Sequence, residues 1–381
     1  MTRPASEPFH LMLKPSGARC NLACEYCYYL EKAALYPGAR LTMDEAALER
    51  VTAAYLAAHP GPEVVFGWQG GEPLLMGREF FERALELQAQ YTRPDQRVTN
   101  ALQTNATLLD DDWAEFFAAH GFLVGVSLDG PPELHDAYRR DAAGRPSHAA
   151  ALRGLVALQR HRAECNALIT VNRRNSSRLL GVYRYLTGLG LRHLQFIPIV
   201  ERQARGSDRP APWSARPEAY GEGLCEIFDY WLTHDVGQVF VQIFESALAV
   251  HLGGPPSLCA FAPTCGRCLV VEHNGDLYAC DHFVYPEHFL GPVTVEGLAN
   301  LVDGETQRAF GAAKAETLPR ACRRCEVLAF CGGDCPKHRL METADGGRIS
   351  YLCAAYRKFF RHSAPALQEM AANLRAGRPP V

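Results

Sequence analysis

The sequence predicts an α/β protein: an open, partial (β/α)6 barrel followed by a cysteine-rich C-terminal region of β-hairpin, loops and a terminal helix. Three observations carry this. Short apolar runs alternate with amphipathic stretches through residues 9–199, the pattern of a parallel sheet with right-handed crossovers. Six such repeats are present, fewer than the eight of a closed barrel. Cysteines gather at the two ends of the chain. A doubly wound sheet is the alternative the same alternation allows.

The strands are expected at Phe9–Lys14, Val64–Trp68, Ala101–Asn105, Leu123–Leu128, Ala167–Val171 and Leu194–Ile199. The helix Thr42–His59 is the clearest, with Thr42 and Glu45 as a capping-box pair and Leu48, Val51 and Tyr55 on one face. Others are expected near Glu79–Tyr91, Asp111–His120, His148–His161 and Ser177–Gly188. Glu201–Pro217 reads as a loop, Pro217–Thr233 as a helix, and Val239–Ile243 as a strand leading into a helix that ends by Gly253. Leu269–Glu272 and Leu277–Ala279 flank Asn274-Gly275, which suits a type I′ hairpin turn. Tyr356–Arg375 is a terminal helix. The division expected is a barrel over 1–200, a connection over 201–255 and a cysteine-rich domain over 256–381.

The 381 residues are 48% hydrophobic and 21% charged, ordinary values for a packed domain. With 39 basic and 42 acidic residues the net charge is −3, which argues against nucleic acid or an anionic membrane as partner. No apolar run reaches the roughly 18 residues of a membrane-spanning helix. Met1–Phe9 lacks a signal-peptide core, so the cytosol is the expected location. In a reducing compartment, clusters among the 14 cysteines are metal ligands rather than disulfides.

Cys20-x3-Cys24-x2-Cys27 follows the first strand, where a barrel places its active-site loops. Three thiolates suit an iron–sulfur cluster with one iron open, or a zinc knuckle completed from elsewhere. Gly70-Gly71-Glu72-Pro73 ends the second strand, and its glycines let the backbone approach a ligand closely. Asn105, Ser127, Asp129 and Arg139 end later strands; each is a ligand contact or an ordinary turn residue. Nine more cysteines lie between Cys259 and Cys353. Their spacing fits iron–sulfur clusters or zinc ribbons.

The first motif and the glycine turn together resemble the radical S-adenosylmethionine (SAM) superfamily. The run from Cys322 to Cys353 resembles the SPASM extension of radical SAM peptide-modifying enzymes. Across Met12–Arg361 the chain is similar to the anaerobic sulfatase-maturating enzymes. The phrases that carry this are CNLACEYCYYL (Cys20–Leu30), WQGGEPLL (Trp68–Leu75), LQTNATLL (Leu102–Leu109), VSLDGP (Val126–Pro131), LQFIPIVER (Leu194–Arg202), HNGDLYACDHF (His273–Phe283) and CGGDCPK (Cys331–Lys337).

The resemblance implies oxidation of a Cys or Ser in a sulfatase to Cα-formylglycine. A 5′-deoxyadenosyl radical would take hydrogen from the target Cβ. The cofactors implied are SAM and three 4Fe–4S clusters. Cys20, Cys24 and Cys27 would hold the SAM cluster. Cys259, Cys265, Cys280 and Cys335 would hold one auxiliary cluster, and Cys322, Cys325, Cys331 and Cys353 the other. Cys165, Cys225 and Cys268 are left over, and Cys268 lies inside the region as a surplus thiol. Gly70, Gly71, Glu72 and Pro73 would bind SAM, with Ser127 and Arg139 as further contacts. Gln69 and Tyr29 would touch the peptide. Asp281 would be the general base, its pKa raised by an anionic cluster beside it; His282 next to it is the weaker candidate. The target motif implied is Cys/Ser-x-Pro-x-Arg, and a ferredoxin or flavodoxin would supply electrons. The rival readings are a crosslink-forming SPASM maturase and a non-catalytic zinc protein.

Overall fold

Strand β1 (His10–Leu13) runs parallel to β2 (Glu63–Trp68) on one side and to β8 (Cys268–Val271) on the other in the computed structural model, which describes residues 3–38 and 40–381. The chain packs as two units, neither of them a consecutive stretch. The first comprises the residues up to Val126, Arg139–Cys165 and Gly266–Gly311. The second comprises Ser127–Tyr138, Asn166–Cys265 and Ala312–Val381. This differs from the three successive segments expected. The reason is local to β1: the hairpin beginning at Cys268 pairs with its open edge, so a late segment joins an early one.

In the first unit the strand order is β10-β9-β8-β1-β2-β3-β4, with β3 at Arg97–Thr104, β4 at Leu123–Ser127, β9 at Asp276–Tyr278 and β10 at Phe289–Pro292. Strands β1 to β4 are parallel neighbours. Along β2, Val64, Phe66 and Trp68 are buried and alternate with less buried neighbours, as a pleated strand requires. Helix Glu45–Ala58 covers this sheet with Leu48, Val51 and Tyr55. Its cap is not the expected Thr42–Glu45 pair: Asp44 Oδ1 accepts from Ala47 N at 2.7 Å, while the Thr42 hydroxyl turns back to Arg40 O.

The second unit carries β5 (Cys165–Val171), β6 (His193–Pro198) and the short β7 (Phe240–Val241), all parallel. The first unit thus contributes the four parallel strands β1 to β4 and the second β5 and β6, the six expected from the sequence, with β7 as a short additional strand. The strand expected at Val239–Ile243 is shorter, because Gln242 already begins the helix Gln242–His251. Helices Pro217–His234 and Gln242–His251 pack on Cys353–Arg375 through Phe228, Phe244 and Phe359, whose ring centroids lie 5.2 to 6.1 Å apart.

The hairpin forms where expected but with a different turn. Asn274 is not among the residues with positive φ, so the turn is not type I′. Gly275 has φ +91, its N–H donates to Glu272 O at 2.8 Å, and Glu272 N donates to Asp276 O at 2.9 Å. This is a three-residue loop closed by a left-handed glycine.

Gly221 lies where helix Pro217–His234 meets the terminal helix Cys353–Arg375. A Cβ there would lie 2.7 Å from Ala355 Cα. Gly221→Ala is therefore expected to cost about 1–3 kcal/mol, read as a lower urea midpoint at unchanged slope.

Candidate active site

The loop after β1 is built around backbone contacts. Lys14 N donates to Val271 O at 2.9 Å, and Gly17 N returns to Lys14 O at 3.0 Å. Gly71 N donates to Gly17 O at 2.7 Å, and Glu72 N to Arg19 O at 2.9 Å. The glycine turn thus sits directly on the segment leading into Cys20. A Cβ on Gly71 would fall 2.0 Å from Arg19 O, so no other residue fits that contact.

Cys24 is buried and Cys20 and Cys27 are half-buried. Leu22 N donates to Cys20 Sγ at 3.3 Å, and Asn105 Nδ2 approaches the same sulfur at 3.6 Å. Burial pushes the Cys20 thiol up to about 11. Its thiolate therefore requires a positive centre beside it, which suits a metal cluster. Three sulfurs on one tight loop, with amide donors aimed at one of them, fit an iron–sulfur cluster with a corner left open to another ligand.

Through its carboxylate, Glu72 ties the turn into the fold. It is fully buried, and its carboxylate accepts from Leu74 N at 3.1 Å, Thr104 Oγ1 at 2.8 Å and Asn105 N at 2.8 Å. It clamps the glycine turn to the end of β3. Burial raises its pKa to about 7 against these hydrogen bonds. Asn105 continues the chain of contacts to Asn21 Oδ1 at 2.8 Å, inside the cysteine loop. Gln69 is half-buried, with its N–H on Leu13 O at 2.9 Å. Arg139 is buried, its guanidinium 5.5 Å from the centre of the Tyr26 ring. In the second unit, Ser127 is buried at the end of β4, and Asp129 Oδ1 accepts from Thr170 N, on β5, at 2.8 Å.

Asp281 gathers several donors around a buried carboxylate. Lys14 Nζ lies 2.6 Å from Oδ1, Tyr29 Oη donates to Oδ2 at 2.8 Å, and Tyr28 Oη donates to Oδ2 as well. Lys32 Nζ donates to the Asp281 carbonyl. Lys14 also binds Glu272 Oε1 at 2.9 Å. These neighbours act on Asp281 in the opposite sense to the anionic cluster expected beside it. Burial pushes the carboxyl up, but Lys14, then Lys32 and His282, outweigh it and hold it well below the usual carboxylate range. Burial likewise pushes Lys14 down, and Asp281 and Glu272 reverse this to a net rise. His282 stacks edge-on against Tyr28 at 5.5 Å.

In the second unit, Cys322, Cys325, Cys331 and Cys353 line one cavity of about 210 Å³, together with Arg324, Asp334 and Arg357. Among the described residues no group of three or more His, Cys, Asp or Glu is spaced for a single metal ion. Four thiols around a cavity of that volume fit a polynuclear cluster. The phrase Cys331–Lys337 owes its glycines to backbone shape: Gly332, Gly333 and Asp334 have φ +51, +74 and +59. Asp334 is held in this conformation by His338 Nδ1 at 3.0 Å and Ser350 Oγ at 2.6 Å. Cys259, Cys265 and Cys335 belong to the same unit, and Lys314 Nζ donates to Cys259 O at 2.9 Å. Cys280 and the exposed Cys268 belong to the first unit.

Lys14, Glu272, Tyr28 and Lys32 escaped the sequence reading. The available signal was a charged residue closing an apolar run, in HLMLK and again in LVVE.

A parallel half-barrel with three cysteines at the end of its first strand, and a second cysteine set beyond it, defines a radical SAM protein with an iron–sulfur extension. Residues 15–185 match the radical SAM superfamily, and residues 259–326 match SPASM, an iron–sulfur cluster-binding domain. The chain belongs to the anaerobic sulfatase-maturating enzymes. It is 42% identical to the serine-type enzyme of Bacteroides thetaiotaomicron over 97% of this chain and 93% of that one. It is 31% identical to the cysteine-type enzyme of Clostridium perfringens over 97% and 100%. A solved structure of native anSMEcpe with bound AdoMet and the Cp18Cys peptide superposes with a TM-score of 0.85 at 30% identity, over 96% of this chain and 99% of that one. The chain is thus a radical SAM enzyme, with SAM and 4Fe–4S clusters as cofactors, that converts a Cys or Ser of a sulfatase to formylglycine. Among the described residues no helix is long and apolar enough to cross a membrane.

Glu72→Gln would set an amide against one of the donors that the carboxylate now satisfies. SAM binding should weaken by about tenfold or more, the cost of one unsatisfied buried donor. The sign of the pH effect also follows. A carboxyl whose pKa is raised from 4.5 to about 7 on folding contributes stability that is full below 4.5 and lost as pH rises through 7. The Glu72→Gln variant should lack that part of the decline in melting temperature.

Proposed function

We propose that Asp281 is the general base of the reaction, and that a serine is the preferred target. The observation that carries the first part is the donor cage around a buried carboxylate in the unit that also holds the Cys20–Cys27 loop and the glycine turn. The ionised carboxylate is the form that can accept a proton, and the Tyr29 and Lys14 contacts fix where its oxygens point. The second part is supported by identity: 42% and 38% to serine-type relatives against 31% to a cysteine-type one.

When bound, SAM and the reduced cluster supply the 5′-deoxyadenosyl radical, and the auxiliary clusters offer a destination for an electron. The target side chain loses a hydrogen atom from Cβ, a proton from its oxygen or sulfur, and one electron. A serine becomes the aldehyde directly. A cysteine becomes a thioaldehyde, which takes up water and releases hydrogen sulfide. Asp281 takes the proton. Cys20, Cys24 and Cys27 would hold the SAM cluster, with Gly70, Gly71 and Pro73 shaping the SAM turn and Glu72 bracing it. Ser127 and Arg139 would complete the SAM contacts. Gln69 and Tyr29 would orient the peptide, a Cys/Ser-x-Pro-x-Arg segment. Cys259, Cys265, Cys280 and Cys335 would hold one auxiliary cluster, and Cys322, Cys325, Cys331 and Cys353 the other. The SAM-binding part would fall within 1–200, the connection within 201–255, and the auxiliary part, which also carries Asp281, within 256–381. A ferredoxin or flavodoxin in the cytosol would deliver the electrons, in keeping with reduced, clustered thiols.

The reconstituted protein, given SAM, a strong reductant and a Ser-x-Pro-x-Arg peptide, should yield 5′-deoxyadenosine and a peptide lighter by two hydrogens. The cysteine analogue should react with a lower kcat/KM. Deoxyadenosine with neither peptide changed would remove the proposed target motif. Asp281→Asn should still cleave SAM while losing product by about a hundredfold or more, the range expected of a lost general base. Full product from that variant would remove Asp281 from the role.

A further inference from the structure

We infer that Lys14, braced by Glu272, is a positioning residue that registers Asp281 against the SAM turn and thereby keeps hydrogen abstraction coupled to product formation. This rests on the reading of Asp281 as base.

Lys14 joins two parts of the site through one residue. Its backbone belongs to the turn side: its carbonyl accepts from Gly17 N at 3.0 Å, and Gly17 O accepts from Gly71 N at 2.7 Å. A Cβ on Gly70 would lie 3.2 Å from Lys14 Cβ and 2.8 Å from Gly17 O, so the turn rests on the lysine stem. Its N–H is tied to Val271 O at 2.9 Å, on the strand before Glu272. Its side chain belongs to the base side, with Nζ 2.6 Å from Asp281 Oδ1 and 2.9 Å from Glu272 Oε1. The ammonium also lies 4.5 Å from the centre of the Tyr29 ring. Only 1% of Lys14 is exposed.

A fold gains little from such a triad alone, because apolar residues of similar volume stabilise as well or better. The arrangement does something an apolar core does not: it fixes the distance between a carboxylate oxygen and the turn. That distance matters only after hydrogen has left Cβ. If the base stands in register, the substrate radical loses its proton and then an electron. If the base has drifted, the radical instead gains an electron and a proton from the strong reductant and solvent, and the original side chain returns. SAM is then consumed without product.

The test uses the cluster-loaded protein with SAM, dithionite and the serine peptide. Formylglycine, 5′-deoxyadenosine, iron content and both KM values are measured. Lys14→Met and the charge-balanced pair Lys14→Met with Glu272→Gln should form deoxyadenosine within about threefold of the parent, while deoxyadenosine per product rises about tenfold or more. Iron content and the KM for SAM should stay unchanged. Lys14→Arg, which keeps the charge, should restore part of the coupling. An unchanged ratio in the paired variant overturns the inference, as does loss of iron or an equal fall of deoxyadenosine and product, since those mark a merely structural lysine. Asp281→Asn separates the two readings. If it forms full product, the base assignment fails. If it is uncoupled while the paired Lys14 variant is coupled, only the positioning role fails.

Discussion

An ammonium almost wholly removed from water at the end of β1 constrains everything near it. Removing a charge from water costs several kcal/mol even after relaxation, so Lys14 is tenable only with counter-charges in contact. The chain meets this with two carboxylates from one late segment, Glu272 and Asp281. Both lie on or just after the hairpin that begins at Cys268. The pairing of β8 with β1 is therefore an electrostatic requirement as well as a hydrogen-bonded one. This accounts for a first unit that joins an early stretch of the sequence to Gly266–Gly311.

Steric constraint works in the same place. The glycine turn can approach the segment before Cys20 only because Gly70 and Gly71 lack a Cβ. Glu72 then fixes the turn from the opposite side, through Thr104 and Asn105, and Asn105 reaches Asn21 and Cys20. One end of the turn is thus fixed by backbone contacts to Gly17 and Arg19, the other by the Glu72 carboxylate. A site that must hold a radical and a base in register gains from such over-determination, because small displacements are costly to rate.

Much of this was legible in the residues. The six strands follow from apolar runs, and only their ends move, as when β3 begins at Arg97 rather than Ala101. The cysteine spacings and the glycine turn were visible because they are short-range. What was not visible depends on partners far apart in sequence. Asp281 was expected to be raised by a cluster, since its nearest named neighbour was Cys280. The lysines that lower it stand at positions 14 and 32, and no local pattern connects them to residue 281. Likewise Thr42 offered the textual signature of a cap, but Asp44 stands nearer the first turn and takes the amide.

The same distance from sequence governs the second set of cysteines. Cys322, Cys325 and Cys331 are close in the chain, yet Cys353 joins them only because the long terminal helix begins there and runs back along Pro217–His234. Burial pushes the Cys331 thiol up to about 12 and raises Cys322 and Cys353 as well. Left as thiols they would be a small, poorly polar lining. As thiolates they need several units of positive charge in the cavity they enclose, and the helix start at Cys353 would be anchored by whatever supplies it. A cluster held there would add to the aromatic packing that already seats that helix on its unit.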